Sequence, residues 1–267
     1  MLMSDFEKLV VHEHFATPSA CYDALSVRFG GEDAARLPSP RYLFCGEARY
    51  YPSTTPGTYR ALIAEGTLGI KFARIDATGL FVEDYENSGG DAEIAECLAQ
   101  HYLSTSDGLD FSVSLGVALA FALAERENEA SRTAYIAVLD RELADSSSRF
   151  CLHDLRETGN AHRPVRPCGF VAVHHKGNFV DLKDAECRSE LGLSWFSFTV
   201  EPSDVGSNRH ASAPQLDALY DIRKDPWAAT MIRHLDSLIS APSPQWGDDG
   251  LRHLIDARIA LASRKLP

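Results

Sequence analysis

A chain of 267 residues, 45% apolar and 24% charged, is long enough to bury a large core and has ordinary globular composition. Its 38 acidic side chains outnumber its 26 basic ones, and the net charge of −12 argues against a nucleic-acid partner, since such proteins usually carry a basic surface. The six cysteines lack CxxC spacing, which disfavours a zinc ribbon, and we expect reduced thiols, no bound metal and a cytoplasmic location. The longest apolar run is shorter than the ~20 residues that span a bilayer, so no membrane partner is expected.

The N-terminal part predicts a short helix and then a strand. Residues 4–16 carry spaced apolar side chains after a capping box of Ser4 and Glu7, which is typical of a helix start. Residues 38–47 predict a turn and a strand that ends at Gly46, where a glycine permits close backbone approach or a positive φ. The other elements expected before residue 91 are a helix at 58–66 and strands at 68–75 and 79–83.

The stretch 91–140 predicts the centre of the fold. Asp91 is a good N-cap for an acidic amphipathic helix. After that helix the pattern predicts, in order, a polar turn at 103–108, a short strand at 109–114, a helix at 115–124 and a strand at 134–139. The run at 115–124 is apolar on every side, which indicates a buried helix. The serines before it, Ser112 among them, either cap that helix or position a ribose or phosphate.

The remaining sequence predicts further strands followed by helices. These elements are one short helix among surface loops at 141–166, strands at 169–173, 178–182 and 193–200, and helices at 213–223, 226–240 and 248–264. The first two strands, joined at His174 and His175, are a hairpin candidate. Clustered strands favour an α+β fold with a central bent or split β-sheet, flanking helices and added C-terminal helices. The expected domains are a helical extension at 1–35, an α+β domain at 36–205 and a helical segment at 206–267 packed on it.

Single residues leave the chemistry open. The sequence contains no glycine-rich phosphate loop of the GxGxxG or P-loop type. Cys45, at the end of a predicted strand, is either a nucleophile paired with a histidine or a packed thiol. Glu186 and Glu201 are lone carboxylates beside strands. None of these residues identifies a reaction when taken alone.

Several short blocks, in order along the chain, resemble the FRG domain, a family named for a Phe/Tyr-Arg-Gly signature. The matching blocks are 41–47, 52–53, 59–60, 99–102, 109–111 and 117–122. The central block of the family has the form AQHYGLPTRLLDWT followed by a small-residue helix, and residues 99–122 align with it without a gap. The resemblance covers about residues 40–180.

By its motif order, the resemblance implies an ADP-ribosyltransferase-like fold with NAD as the substrate. Transfer of ADP-ribose, or NAD cleavage, passes through an oxocarbenium-like centre that a carboxylate stabilises. The implied catalytic residues are Glu47 or Glu201 as that carboxylate and His174 or His101 as a polar anchor. The implied NAD-binding residues are Phe44, Cys45, Gly46, His101, Tyr102, Asp110 and Ser112, with Ser112 at the ribose. Gly46, Asp110 and Gly177 are expected to meet at one cleft.

This chain departs from the family where the family carries charge. Cys45 stands at the signature arginine and Asp107 at the arginine of the central loop, while Thr105 and Phe111 replace its proline and tryptophan. A charge-assisted hydrogen bond contributes ~1.5–3 kcal/mol, so losing two such cations weakens a dianionic ligand by orders of magnitude. On the resemblance, arginine at position 45 should raise NAD affinity.

Three functions therefore stay open. The first is NAD-dependent ADP-ribosyl transfer or NAD cleavage. The second is a catalytically degenerate binding or regulatory module whose partner is a small-molecule nucleotide or a protein. The third is a hydrolase that depends on Cys45.

Overall fold

Strands from both halves of the chain join one seven-stranded sheet in the computed structural model of the protein. The structure describes residues 10–30, 39–51, 53–54, 68–103, 108–123, 130–157, 169–174, 181–204 and 225–263, with the backbone alone at 100, 101, 157, 169–174 and 263. The strands are β1 (Val11–Phe15), β2 (Tyr42–Glu47), β3 (Gly108–Ser112), β4 (Arg132–Asp140), β5 (Phe150–Asp154), β6 (Gly169–His174) and β7 (Ser194–Val200). Their order is β1-β7-β4-β2-β3-β6-β5. Because β1 pairs with β7 in parallel and the other described pairs are antiparallel, the sheet is mixed.

Helices flank this sheet and make the fold α+β, as predicted. They are α1 (Pro18–Phe29), α2 (Leu68–Asn87), α3 (Ala92–Leu103), α4 (Leu115–Leu123), α5 (Arg141–Ser146), α6 (Ala185–Glu190), α7 (Pro226–Ser240) and α8 (Gly247–Ser263). Within the described ranges, none of them combines the length and the apolar character needed to cross a membrane.

The sheet buries different side chains on its two faces. On the first face, called the α4 face, α1 and α4 cover Phe44, Ile136 and Phe196. On the opposite face, called the α6 face, Leu43 and Trp195 pack with residues of α5 and α6. Since successive side chains of a strand point to opposite sides, each strand contributes alternate residues to the two cores.

Four helices form a third core of their own. Helices α2, α3, α7 and α8 pack around Phe81, Leu98, Met231 and Trp246, all of them nearly inaccessible to solvent. The C-terminal helices therefore pack against α2 and α3, which come from the middle of the chain.

Helix starts agree with the sequence signals where the structure describes them. Asp91 accepts hydrogen bonds from the backbone N–H groups of Glu93 and Ile94, at 2.9 and 3.1 Å, as an N-cap does. Asp225 caps α7 in the same way, with Pro226 in the first helical turn. The positions of α7 and α8 confirm the helices predicted at 226–240 and 248–264, and α4 confirms the predicted buried helix.

The helix predicted at 4–16 is wrong over residues 11–15, and so are the two strands predicted at 68–75 and 79–83. Residues 11–15 form strand β1 at an edge of the sheet instead of continuing a helix, because β7 supplies a parallel partner for them. Within the extension expected at 1–35, the described residues 10–30 place β1 in the sheet and α1 on its α4 face. The strands expected at 68–75 and 79–83 are one helix, α2, which buries Ala73, Ala77, Phe81 and Tyr85 at four-residue spacing.

Two predictions in the second half also need correction. The loops expected at 141–166 contain the predicted short helix but also β5, an edge strand. Strand β6 pairs with β3 and β5, and residues 181 and 182, the described part of the strand expected at 178–182, do not belong to a strand. Residues 175–180, like the helices expected at 58–66 and 213–223, lie outside the described residues.

Candidate functional site

The strand ends that carry the predicted catalytic residues lie at one end of the sheet. Glu47, at the end of β2, pairs with Tyr135 near the start of β4. Arg132, the first residue of β4, pairs with Val200 at the end of β7. On the other side, Gly108 at the start of β3 pairs with Val173 of β6. The antiparallel pairings therefore place the ends of β2, β6 and β7, together with the starts of β3 and β4, along the same margin.

These positions are spread along that margin. Strands β7, β4, β2, β3 and β6 are consecutive, and neighbouring strands lie about 4.8 Å apart, so Glu201 after β7 and His174 of β6 are roughly 19 Å apart. Glu47 lies midway between them. Strands β2 and β3 are neighbours, so Gly46 and Asp110 lie near each other. Gly177 lies outside the described residues, so the meeting of all three at one cleft stays a prediction.

The predicted NAD-binding residues do not share one face of the sheet. Phe44 is 1% exposed in the core of the α4 face, and Gly46 points the same way. Cys45 packs in the core of the α6 face. Glu47 is two residues further along β2 and therefore points to the same face as Cys45. One cleft cannot be lined by both sets, because the sheet lies between them. This corrects the pocket expected from the sequence.

Gly46 has a packing role. A Cβ built at this position would lie 1.9 Å from the Ala118 carbonyl oxygen of α4, far inside any allowed contact. The close backbone approach predicted for this glycine is therefore made to a helix. It also explains the alanines at positions 118 and 122 of α4, because their backbone atoms lie directly against Gly46.

Ser114 caps α4, and Ser112 stabilises the turn just before that helix. The Ser114 hydroxyl accepts a hydrogen bond of 3.2 Å from the backbone N–H of Val117, and the Ser112 hydroxyl accepts one of 3.0 Å from the backbone N–H of Ser114. Both serines are buried. Of the two roles considered for these serines, capping is the one that the Ser114 contact supports. Asp110 lies two residues earlier on β3 and is exposed.

Tyr102 belongs to the helical core. It is 2% exposed, and its hydroxyl donates a 2.8 Å hydrogen bond to the Asp225 carboxylate. The other oxygen of that carboxylate caps α7 through the backbone N–H groups of Trp227 and Ala228. The residue predicted at a nucleotide pocket thus joins α3 to the start of α7. The side chain of its neighbour, His101, lies outside the described residues.

Glu47 lies in a buried polar cluster on the α6 face, which we call the Glu47 cluster: Glu47, Thr54, Asp181 and Lys183. Lys183 Nζ lies 3.0 Å from Glu47 Oε2, and the two side chains are 4% and 7% exposed. The Thr54 hydroxyl donates to the other oxygen of Glu47. Asp181 Oδ1 accepts from the backbone N–H groups of Thr54 and Lys183, each at 2.9 Å.

Aromatic rings surround the ammonium group of Lys183. Its Nζ lies 4.7 Å from the ring centre of Tyr50 and 5.0 Å from that of Trp195, within the range of cation–π attraction. It also donates to the Tyr51 carbonyl oxygen. The cluster therefore fastens Tyr51 and Thr54, after β2, to the turn before α6.

Burial controls the ionisation of this site. It raises the pKa of the Glu47 carboxyl, while Lys183 and the Thr54 hydroxyl oppose that shift. Burial also raises the pKa of the Cys45 thiol; Glu47 and Asp110 add to the increase and Lys183 opposes it. Cys45 is thus protonated at neutral pH, which is unfavourable for a nucleophile because thiolate is the reactive form.

Glu201 differs from Glu47 in being exposed to solvent. Its carboxylate accepts a hydrogen bond from the Ser131 hydroxyl, just before β4. Its backbone N–H donates to Asp204 at 2.9 Å. At this margin of the sheet, Glu201 is the accessible member of the two predicted carboxylates.

Sequence reasoning missed Lys183, Thr54 and Asp181. The only signal in the sequence was the Asp181-Leu182-Lys183-Asp184 run, which alternates charge before a short helix. Nothing local connects it to Glu47, 136 residues earlier in the chain.

Comparison of this chain with protein-family models, with curated proteins and with solved structures finds no match.

Proposed function

We propose that this chain is a divergent FRG-like module, on an ADP-ribosyltransferase-like α+β scaffold, that binds a nucleotide without cleaving NAD. The observation that carries the proposal is the engagement of Glu47. A carboxylate that stabilises an oxocarbenium-like centre must face the ligand, whereas both oxygens of Glu47 are taken by Lys183 and Thr54. In this proposal the chain keeps the scaffold, and the Glu47 carboxylate at the end of β2 stabilises the packing of the core.

The contact between Gly46 and α4 supports the scaffold part of the proposal. The family signature contains a glycine at this position and a small-residue helix after the central block. Both features have one physical cause here, because the β2 backbone approaches Ala118 too closely for any side chain. A fold that needs this contact would keep both features after losing its catalytic charges.

Charge loss supports the absence of catalysis. Cys45 replaces the signature arginine, and its neighbours Glu47 and Asp110 are acidic. Two lost charge-assisted hydrogen bonds correspond to about 3–6 kcal/mol, or two to four orders of magnitude in Kd. We therefore expect weak nucleotide binding, in the millimolar range, rather than tight binding.

A second candidate, NAD-dependent ADP-ribosyl transfer or NAD cleavage, is favoured by a different observation. The ends of β2, β6 and β7 lie on one margin of the sheet, and Glu201 is exposed there. In this alternative Glu201 is the catalytic carboxylate, and Glu47 only maintains the structure.

The two candidates are separated by measuring binding and turnover on the same full chain. NAD and ADP-ribose are titrated to about 10 mM by thermal shift, and nicotinamide release is followed by chromatography. The binding module predicts a rise in Tm with no nicotinamide released, in the wild type and in Glu201→Gln alike. Nicotinamide release that Glu201→Gln abolishes would overturn it in favour of the enzyme. No rise in Tm with either ligand would overturn nucleotide binding altogether.

A further inference from the structure

Three side chains with metal-binding atoms meet at the outer edge of the sheet, next to the first turn of α3. They are Glu93 of α3 and Cys151 and His153 of β5, and one donor atom from each lies within 4.8 Å of the other two. His153 Nε2 is 3.8 Å from Glu93 Oε2. No residue of the Glu47 cluster takes part, so this group is independent of the function proposed above.

The fold explains why these side chains meet. Cys151 and His153 are two residues apart on β5 and therefore point to the same side of the strand. β5 is the last strand of the sheet, so among the described strands no neighbour covers its outer edge. Glu93 is held at the start of α3 because Asp91 caps that helix through the Glu93 backbone N–H.

We propose that Glu93, Cys151 and His153 bind a zinc ion. A thiolate, an imidazole and a carboxylate together match the donor preference of zinc, whereas calcium and magnesium prefer oxygen donors alone. The 3.8 Å between His153 Nε2 and Glu93 Oε2 is roughly 0.5 Å more than the separation of two ligands around a tetrahedral zinc ion, so binding requires a small shift of these side chains. The sequence alone predicted no metal, because these ligands lack the paired CxxC spacing of familiar zinc motifs.

Bound zinc would link two parts of the chain. Glu93 and Cys151 are on different elements, and the ion would fasten the edge strand β5 to the start of α3. The ion has a route to the site because the Glu93 side chain is 74% exposed. An ion that binds the folded state alone also raises stability in proportion to the logarithm of its concentration.

The test uses the full chain after treatment with EDTA. Zn²⁺ is titrated by calorimetry, and Co²⁺ is added as a spectroscopic probe. The wild type should bind one ion, and its Co²⁺ complex should show the strong visible bands of a tetrahedral site and a thiolate-to-cobalt charge-transfer band. Cys151→Ser and His153→Ala should each weaken Zn²⁺ binding by at least about 100-fold, since loss of an outer-shell partner alone costs 10–100-fold.

Two further variants keep the test decisive. Glu93→Gln changes an exposed side chain, so it should fold normally and still weaken Zn²⁺ binding. Cys187→Ser, which removes a buried thiol of α6, is the matched control and should leave binding unchanged. Wild-type affinity in a Cys151→Ser/His153→Ala double variant, an octahedral Co²⁺ spectrum, or an equal loss in Cys187→Ser would overturn the zinc site.

Discussion

Lys183 donates a 3.0 Å hydrogen bond to the carboxylate of Glu47 in a site where both side chains are almost completely buried. The two residues are 136 positions apart in the sequence. An ion pair in such a place requires compensation for lost hydration, and the Thr54 hydroxyl, the Tyr51 carbonyl and the surrounding rings supply it. The pair therefore helps to position Tyr51 and Thr54 against the sheet.

Removing either partner of this pair should destabilise the protein strongly. Glu47→Gln or Lys183→Met leaves one buried charge without its partner, which typically costs about 3–5 kcal/mol. The Glu47→Gln/Lys183→Met double variant should lose clearly less than the sum of the two. Urea unfolding of all four proteins gives the coupling free energy, and strict additivity would contradict the role given to the pair. Arg258→Ala, which removes the exposed pair with Asp236, should change little.

Substitution of Gly46 should be costly because of a single contact. In Gly46→Ala the new methyl group would collide with the Ala118 carbonyl, and overpacking of this kind costs about 1–3 kcal/mol or more. Gly79→Ala is the matched control, since a Cβ there meets nothing within 4 Å in the middle of α2. That variant should be neutral or gain about 0.5–1 kcal/mol from helix propensity. Equal effects at the two glycines would show that β2 and α4 are farther apart than described.

Tyr102→Phe should loosen the attachment of the C-terminal helices. The substitution removes the hydrogen bond to the buried Asp225 carboxylate, and bonds to charged groups contribute about 1.5–3 kcal/mol. Hydrogen exchange should become faster in α7, whose first turn Asp225 caps, and remain unchanged in β4. Faster exchange in β4 to the same extent would mean that the substitution acts on the whole fold.

His253 should make stability depend on pH in the acidic range. Burial and the neighbouring Arg74 lower the pKa of His253 to about 4, and Asp256 opposes them. Arg74 Nε also donates to His253 Nε2 at 2.9 Å, which requires a neutral ring. Between pH 6.5 and 4 the unfolded state binds the proton and the native state does not, so stability should fall as the pH falls through this window. We expect a contribution of about 1–2 kcal/mol, reduced from the full linkage value because part of the ring is solvated.

The histidine variant tests that assignment. In His253→Gln the decrease in unfolding free energy between pH 6.5 and 4 should be smaller than in the wild type, as measured by urea unfolding at several pH values. His12→Gln is the control, because His12 lies on β1 away from Arg74. Parallel pH profiles for His253→Gln and the wild type would assign the effect to other groups.

Cys45→Arg should lose stability, although the family resemblance by itself predicts a gain in NAD affinity. Position 45 points into the core of the α6 face, where Lys183 already supplies a cation. The larger side chain overpacks the site and brings two positive charges together. Adding Lys183→Met should restore part of the Tm, since the new guanidinium can then pair with Glu47. A fully stable Cys45→Arg single variant would mean that position 45 faces open space.

The sequence determined the elements whose signals are local. The apolar run of α4, the glycine of β2 and the proline after Asp225 each predict their element from adjacent residues. The same local patterns gave the α+β class. They failed for α2, whose buried stripe begins with Ala73 and Ala77, too small to produce a strong helical periodicity, while its large Leu68 and Ile75 are exposed.

Only the tertiary structure decided which residues meet. Val11–Phe15 is a strand because β7 pairs with it from the other half of the chain, and Phe44 and Cys45 are separated because the sheet has two faces. The sequence alone predicts Glu47 as a catalytic carboxylate. In the structure Glu47 forms a buried ion pair with Lys183. Hydrogen bonds and charge pairs depend on distance in space, and a chain of this length brings together residues that no pattern in the sequence connects.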